Sequence, residues 1–376
     1  MISLIEAFVS LLVIVVSIKA DSNGYEPIDY QTAKNLTADY CYVKSYEEVD
    51  SVVQNCNRIV LESFEVPAGK TLTLKLRKKA VLLFEGTLTF GMAYWDGSLI
   101  EIRGENIQVI GGTNHLIHGH GEKYWDGLGV AGVVKPKRLM SINVKGGTFT
   151  NINIKNCPVF CVAIMGNDLT FSGFNIDLQD GFKNSLGRNT DGMGFSHANN
   201  IVIENSKITN QDDCVNALGD SSNAVVRNVH CWGSHGFSVT SGMSTTNTGN
   251  DIRNITFEDC SIGGSLGGIH VKTLPTGGHG TLDQITYRNI EIKDTTRFAI
   301  EVQQDYPKED GHSSNNIIIN DLNLINVTGS VKGKSARGVR ISCGSGSCTN
   351  WKWSGVKITG AHKKDDCNFH PNGYSC

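Results

Sequence analysis

The chain has 376 residues, with 34 lysines and arginines against 37 aspartates and glutamates, and a formal net charge of −3. That balance excludes a global pull on nucleic acid, so attraction for any polyanion must be local. The length is ample for one large core, and eleven cysteines fit an oxidising compartment better than the cytosol.

In chain order, residues 1–20 read as a signal peptide: an apolar run from Ala7 to Ile18, then Lys19-Ala20 before the polar Asp21 to Gly24. The run is short for a bilayer span and no later stretch is long and apolar enough, so a secreted, extracellular protein without membrane contact is expected. Residues 21–40 read as a propeptide or loose arm, and 41–376 as one domain. Close cysteine pairs are expected for Cys41 with Cys56, Cys214 with Cys231, Cys343 with Cys348 and Cys367 with Cys376. Cys157, Cys161 and Cys260 remain, and an odd total leaves at least one thiol free and buried. The basic stretches Lys75 to Lys79 and Lys135 to Arg138 read as solvated edges. His115, His118 and His120 suggest a metal, but no carboxylate or cysteine is seen to complete a ligand set, so they read as surface turn residues. No metal and no cofactor is expected. Sequons at Asn35, Asn254 and Asn326 permit N-glycosylation.

Short strand-like phrases then recur at 151–156, 200–205, 223–228, 254–259, 284–289 and 316–320, most of them alternating apolar and polar residues and ending in Asn or Asp. Gly, Asn, Asp and Ser fill the intervals, and no helical apolar stripe interrupts them. Strands repeating every ~20–35 residues predict an all-β solenoid, a parallel β-helix whose strands pair one coil away. Coils stack about 4.8 Å apart. On that frame Asp191, the Asp212-Asp213 pair and His235 fall in one column on one wall. Crowded carboxylates beside a histidine, with Lys272 following, make an acid–base site. Turn carboxylates that merely cap backbone amides are the structural alternative, and a poor one for all three together.

Several motifs in order carry a resemblance. Asn189-Thr190-Asp191, Gln211-Asp212-Asp213, Ser234-His235-Gly236 and His270-Val271-Lys272 are followed by Gln303-Gln304-Asp305-Tyr306 and by the ending Cys343 to Val356. From about Cys41 to Cys376 the chain resembles the polygalacturonases of glycoside hydrolase family 28, most closely fungal-type endo-enzymes. The resemblance implies a right-handed parallel β-helix, the pectin lyase-like solenoid. It implies hydrolysis of α-1,4-linked galacturonan (pectin) with inversion. A monomer is expected. Resemblance makes Asp212 the general acid and gives the activation of water to Asp191 and Asp213, with His235 tuning the acid. Asn189, Gln211, His270, Lys272 and Tyr306 are then expected to meet the substrate. Departures stand beside this. His270 replaces an arginine, Ser234 a glycine that leaves room in the cleft, and Gly194 an aspartate. A histidine would grip a carboxylate only while charged, so affinity is expected to fall as pH rises. A pectin-binding pseudoenzyme, or a hydrolase of a modified pectin, is the second reading. A lyase is the third; it would need calcium and a base that the sequence does not spell out.

Overall fold

The computed structural model describes residues 30–35, 39–308 and 312–376. The signal-peptide span and most of the proposed arm lie outside them. The strands wind as a right-handed parallel β-helix, every strand pairing in parallel with its counterpart one coil away. On one wall Val215, Phe237, Ile269, Ile300 and Val339 stack in register. On another, Ile201, Ala224, Ile255, Ile285 and Leu322 do the same. Inward residues meet only their own kind, which makes one continuous apolar core.

The Asn and Asp residues that bracket the sequence phrases turn the corners. Asn200, Asn223, Asn254 and Gln284 have φ between 55° and 59°, and Asn205, Asn228, Asp259 and Asn289 between 50° and 54°. Asn tolerates this left-handed backbone best among side chains larger than glycine. Stacked corners then bond to one another: Asn254 donates to Asn223 at 2.8 Å, and Asn326 to Asn289 at 3.0 Å. The amide nitrogens of two of the three sequons are thus engaged in ladders; the Asn35 sequon runs into residues outside the described set. The last phrase needs correction. The corners of that coil are Asp321 and Asn326, so 316–320 is the strand before the repeat. Both pairs of periods look alike in sequence because apolar alternation continues through Leu322 and Leu324.

Both open ends of the core are covered. The helix Val49–Asn55 buries Val49 and Val53 against the first coil. At the other end Trp351 and Trp353 stack at 6.1 Å, with Phe369 and Tyr374 packed on them. Part of the arm is not loose. Tyr30–Asn35 is helical, and Ala33 and Tyr40 bury with Val60, Val81, Leu83 and Ile110. The four expected disulfides form, and Cys157 bonds Cys161 as a fifth. Cys260 is the free cysteine; burial pushes its thiol up to about 12, so it packs as an unreactive hydrophobe.

Inside the coils Phe237, Phe257 and Tyr287 form an aromatic column, with the Phe257 and Tyr287 rings stacked at 4.7 Å. Phe257→Ala removes the middle ring where neighbours cannot collapse. A loss of ~3–5 kcal/mol is expected. A urea midpoint within error of the parent's would show the column does not bear on stability.

Candidate active site

The site grows from the wall made by Met193–Thr209, Asp213–Leu218, Gly236–Ser241, Gly267–Thr273 and Phe298–Gln303. Along these strands Val215, Ala217, Phe237, Val239, Ile269 and Val271 point into the core. Their neighbours Asn216, Ser238, Thr240, His270 and Lys272 therefore point out. A register shift between Asp213 and Val215 breaks the alternation. Such a bulge re-aims side chains, and here both members of the aspartate pair face one cleft. Asn210 holds the turn by donating to the carbonyls of Thr190, Asp212 and Asp213 at 2.8, 3.0 and 2.8 Å.

Carboxylate oxygens of Asp191, Asp212 and Asp213 lie within 4.8 Å of one another. Asp213 is almost fully buried and accepts from Lys272 Nζ at 2.7 Å, Asn216 Nδ2 at 2.6 Å and Ser238 Oγ at 2.7 Å. Asp212 accepts from the Asp213 amide at 2.8 Å and from Asn189 Nδ2 at 3.3 Å, and His235 Nδ1 stands 3.3 Å from its Oδ1. Burial, then the charges of Asp212 and Asp213, push the Asp191 carboxyl well above the usual carboxylate range. Asp212 moves the other way. Burial works to raise it, but the charge and hydrogen bond of His235, and then Lys272, hold it below that range. Burial disfavours the His235 cation, yet Asp212 outweighs it and raises the imidazole. Lys272 is likewise raised: burial opposes its charge and Asp213 more than restores it. The environments thus push the two carboxyls apart: Asp191 holds a proton more firmly than an ordinary carboxyl, and Asp212, facing His235, less firmly.

The cleft has a volume of about 780 Å³ and is lined by Asn189, the three aspartates, Lys272 and Tyr306. Lys272 Nζ sits 5.0 Å above the Tyr306 ring. Other expected residues lie elsewhere. Gln211 turns away and accepts the Gly187 amide at 2.6 Å, so it props the loop that carries Asn189 to Asp191. His235 flanks Asp212 without lining the cleft. Ser234 is fully buried and does not crowd it. Gly194 does line it, and an added Cβ there would meet only Leu218 at 3.4 Å and the Asn216 carbonyl at 3.9 Å.

His270 also departs from expectation. It packs beneath Tyr306, ring centroids 6.0 Å apart, with Nε2 3.5 Å from Glu301. Burial, then Lys272, His235, Arg297 and Arg340, press its pKa well below the ordinary imidazole value. That pressure works against a cationic grip, and His270 is not among the residues that line the cleft. Galacturonan affinity of His270→Gln should track the parent between about pH 5 and 8. A step present in the parent and missing in the variant would show that His270 does titrate there.

Sequence reasoning missed three things here. Asn216 and Ser238 hold Asp213; only the stacked register makes them neighbours. Arg138 lines the cleft, Lys135 is buried against Asp126 at 3.0 Å, and only Lys137, exposed with Asp96 at 2.7 Å, keeps the solvated-edge reading. Lys75 to Lys79 is the solvated edge expected, with Lys78 paired to Glu105. Thirdly, a carboxylate does accompany the histidines. His118, His120 and Glu122 bring ligand-type atoms within 4.8 Å. They bond mainly to each other: the His120 amide to His118 Nδ1 at 3.1 Å and His120 Nδ1 to Glu122 at 3.0 Å. His115 is buried and ties Gly112 to the Asn153 amide.

A parallel β-helix with clustered carboxylates, a buried cation and an open cleft defines an acid–base hydrolase of polymeric glycosides. The comparisons narrow that class. The model for glycosyl hydrolases family 28 matches residues 56–376, and the chain belongs to that family. It is 39% identical over 342 residues to a polygalacturonase of Phaedon cochleariae, covering 89% of this chain and 93% of the relative. It is 36% identical over 340 residues to endopolygalacturonase I of Aspergillus oryzae, covering 89% and 91%. Among solved structures, endopolygalacturonase I of Stereum purpureum with two bound galacturonates superposes with a TM-score of 0.80 at 29% identity, covering 87% of this chain and 96% of that one.

Proposed function

We propose that the chain is a polygalacturonase that hydrolyses α-1,4 bonds of pectic galacturonan by inversion. The observation that carries this reading is the convergence of three carboxylates within 4.8 Å beside a buried lysine. The Asp212–His235 pair supplies the proton to the leaving glycosidic oxygen, with Asp212 the donor and His235 behind it. Water held by Asp191 and Asp213 attacks the anomeric carbon. The attacking water passes its proton to the Asp191–Asp213 carboxylates as Asp212 gives one to the leaving oxygen, and Arg138 and Lys272 offset the charge of the bound chain. Asn189, Lys272, Arg138 and Tyr306 grip the sugars; Lys272 has donors left after serving Asp213.

The short spacing needs its own argument. Inverting pairs usually stand ~6.5–9.5 Å apart and retaining pairs ~5–5.5 Å. A retaining route needs a free carboxylate nucleophile. Asp213 has three donors on its oxygens, which leaves it a poor nucleophile, and the raised Asp191 carboxyl favours taking a proton from water. The chain acts outside the cell, a reading supported by five disulfides, which persist in oxidising compartments. Release of reducing ends from polygalacturonate tests the activity. Binding without any release would move the reading to a pseudoenzyme, and ultraviolet absorbance from an unsaturated product to a lyase.

A further inference from the structure

On a side of the solenoid that shares no lining residue with the cleft, Trp232 lies out in solvent, 53% exposed. A single exposed apolar side chain is ordinary, but the surroundings of this one are specific. It ends the strand Ser221–Trp232, and the next coil places Gly263 directly beside it. The six-membered ring of the indole crosses the glycine pair that follows. A Cβ added to Gly263 would meet the ring at 2.8 Å, and one added to Gly264 at 2.7 Å. The two glycines thus form a floor on which the ring lies, while it remains open to solvent. Any larger residue in that floor would lift it.

Charges frame this platform. Lys293 stands in register beyond Gly263, two coils from Trp232, and Lys207 stands one coil before it beside His230. Both lysines are exposed, and no ion pair involves either among the described residues. Glu291 is the one acid of the groove, and His230 Nδ1 is tied to Ser261 Oγ at 2.7 Å. From Lys207 to Lys293 the groove crosses three coil steps, about 14 Å at the spacing of paired strands. That is a few sugar rings long. A flat apolar ring offers a surface to the C–H face of a pyranose, and the cations at either end suit its carboxylates.

We infer that Trp232, with Lys207 and Lys293, forms a second binding site for an acidic polysaccharide, which anchors a galacturonan chain away from the cleft. The inference rests on the proposed function for its ligand. Such a site raises the local concentration of polymer without touching the reacting bond. Short oligomers, too small to span both sites, gain nothing from it.

The test compares the full chain with Trp232→Ala and with Lys207→Gln/Lys293→Gln. Retention on immobilised polygalacturonate is measured in an Asp212→Asn background, and hydrolysis of trigalacturonate in the otherwise native chain. Trp232→Ala should lower retention about five- to tenfold, the low end of the loss seen for one aromatic stacking partner, and leave the trigalacturonate rate within about twofold. The lysine variant should lose retention on polygalacturonate but not on fully methyl-esterified pectin. Unchanged retention in Trp232→Ala overturns the site while leaving the hydrolase reading intact. Failure of the parent to bind or cleave either substrate overturns both. A parent that self-associates through this face, with Trp232→Ala altering its mass in sedimentation but not its retention, assigns the platform to a second copy and overturns the proposal as well.

Discussion

Asp212→Asn should abolish measurable hydrolysis of polygalacturonate, a fall of at least ~10²–10⁴-fold in kcat. The amide keeps the shape of the side chain and can still accept the Asp213 amide, now 2.8 Å from Oδ1. It cannot donate a proton and become an anion, the step on which departure of the leaving group depends. The variant should remain folded, because Asp212 sits at the cleft surface and not among core residues. Binding of oligogalacturonate should be kept or strengthened, since one negative charge is removed beside an anionic ligand. A variant that keeps most of the parent rate would move the acid role to Asp191, whose carboxyl is raised by burial and by its acidic neighbours. Asp191→Asn, assayed alongside, separates these two assignments.

Lys272→Met should damage both stability and activity. Lys272 and Asp213 are almost fully buried, 6% and 2% exposed at their side chains, and they face each other at 2.7 Å. Removing one partner leaves a buried charge with only Asn216 and Ser238 to serve it. Losses of ~3–5 kcal/mol are typical when a buried pair is broken this way. The sign with pH follows from Lys272 itself. Its folded pKa is raised above its unfolded value of about 10.4. Its contribution is therefore fully present below that value and is lost only as pH rises through the folded pKa. Throughout the neutral range the variant should show the full deficit. Lys272→Met/Asp213→Asn should recover much of the stability, because no charge remains uncompensated, and none of the activity. Thermal melts and turnover on the three proteins decide this. A single variant as stable as the parent would mean solvent reaches Asp213 freely.

Much of this was legible in the residues. The recurring phrases foretold the coils because alternation and corner Asn are forced by the same backbone repeat. The carboxylates were legible because stacking converts an interval of 21 or 22 residues into adjacency. What stayed hidden depends on depth and direction, which a linear pattern does not carry. Arg138 and Lys135 belong to one basic stretch, yet one faces the cleft and the other is buried against Asp126. His270 sits where a cationic grip was expected, but burial, and then Lys272, His235, Arg297 and Arg340, work against its charge. Gln211 adjoins the catalytic pair in sequence and points at the Gly187 amide instead. Glu122 was passed over as a companion of His118 and His120 because the turn that folds it back follows a left-handed residue, His120 at φ 51°.

The central claim is that these crowded carboxylates activate water directly and form no covalent sugar intermediate. The anomeric configuration of the first product tests it most directly. Proton magnetic resonance of the new reducing end, recorded within seconds of cleavage and before mutarotation, distinguishes the two outcomes. The account predicts the β anomer, the inverted product of an α-linked chain. The α anomer as the first product would contradict it, because retention requires a carboxylate that attacks the sugar, and here Asp191 and Asp213 serve the water instead.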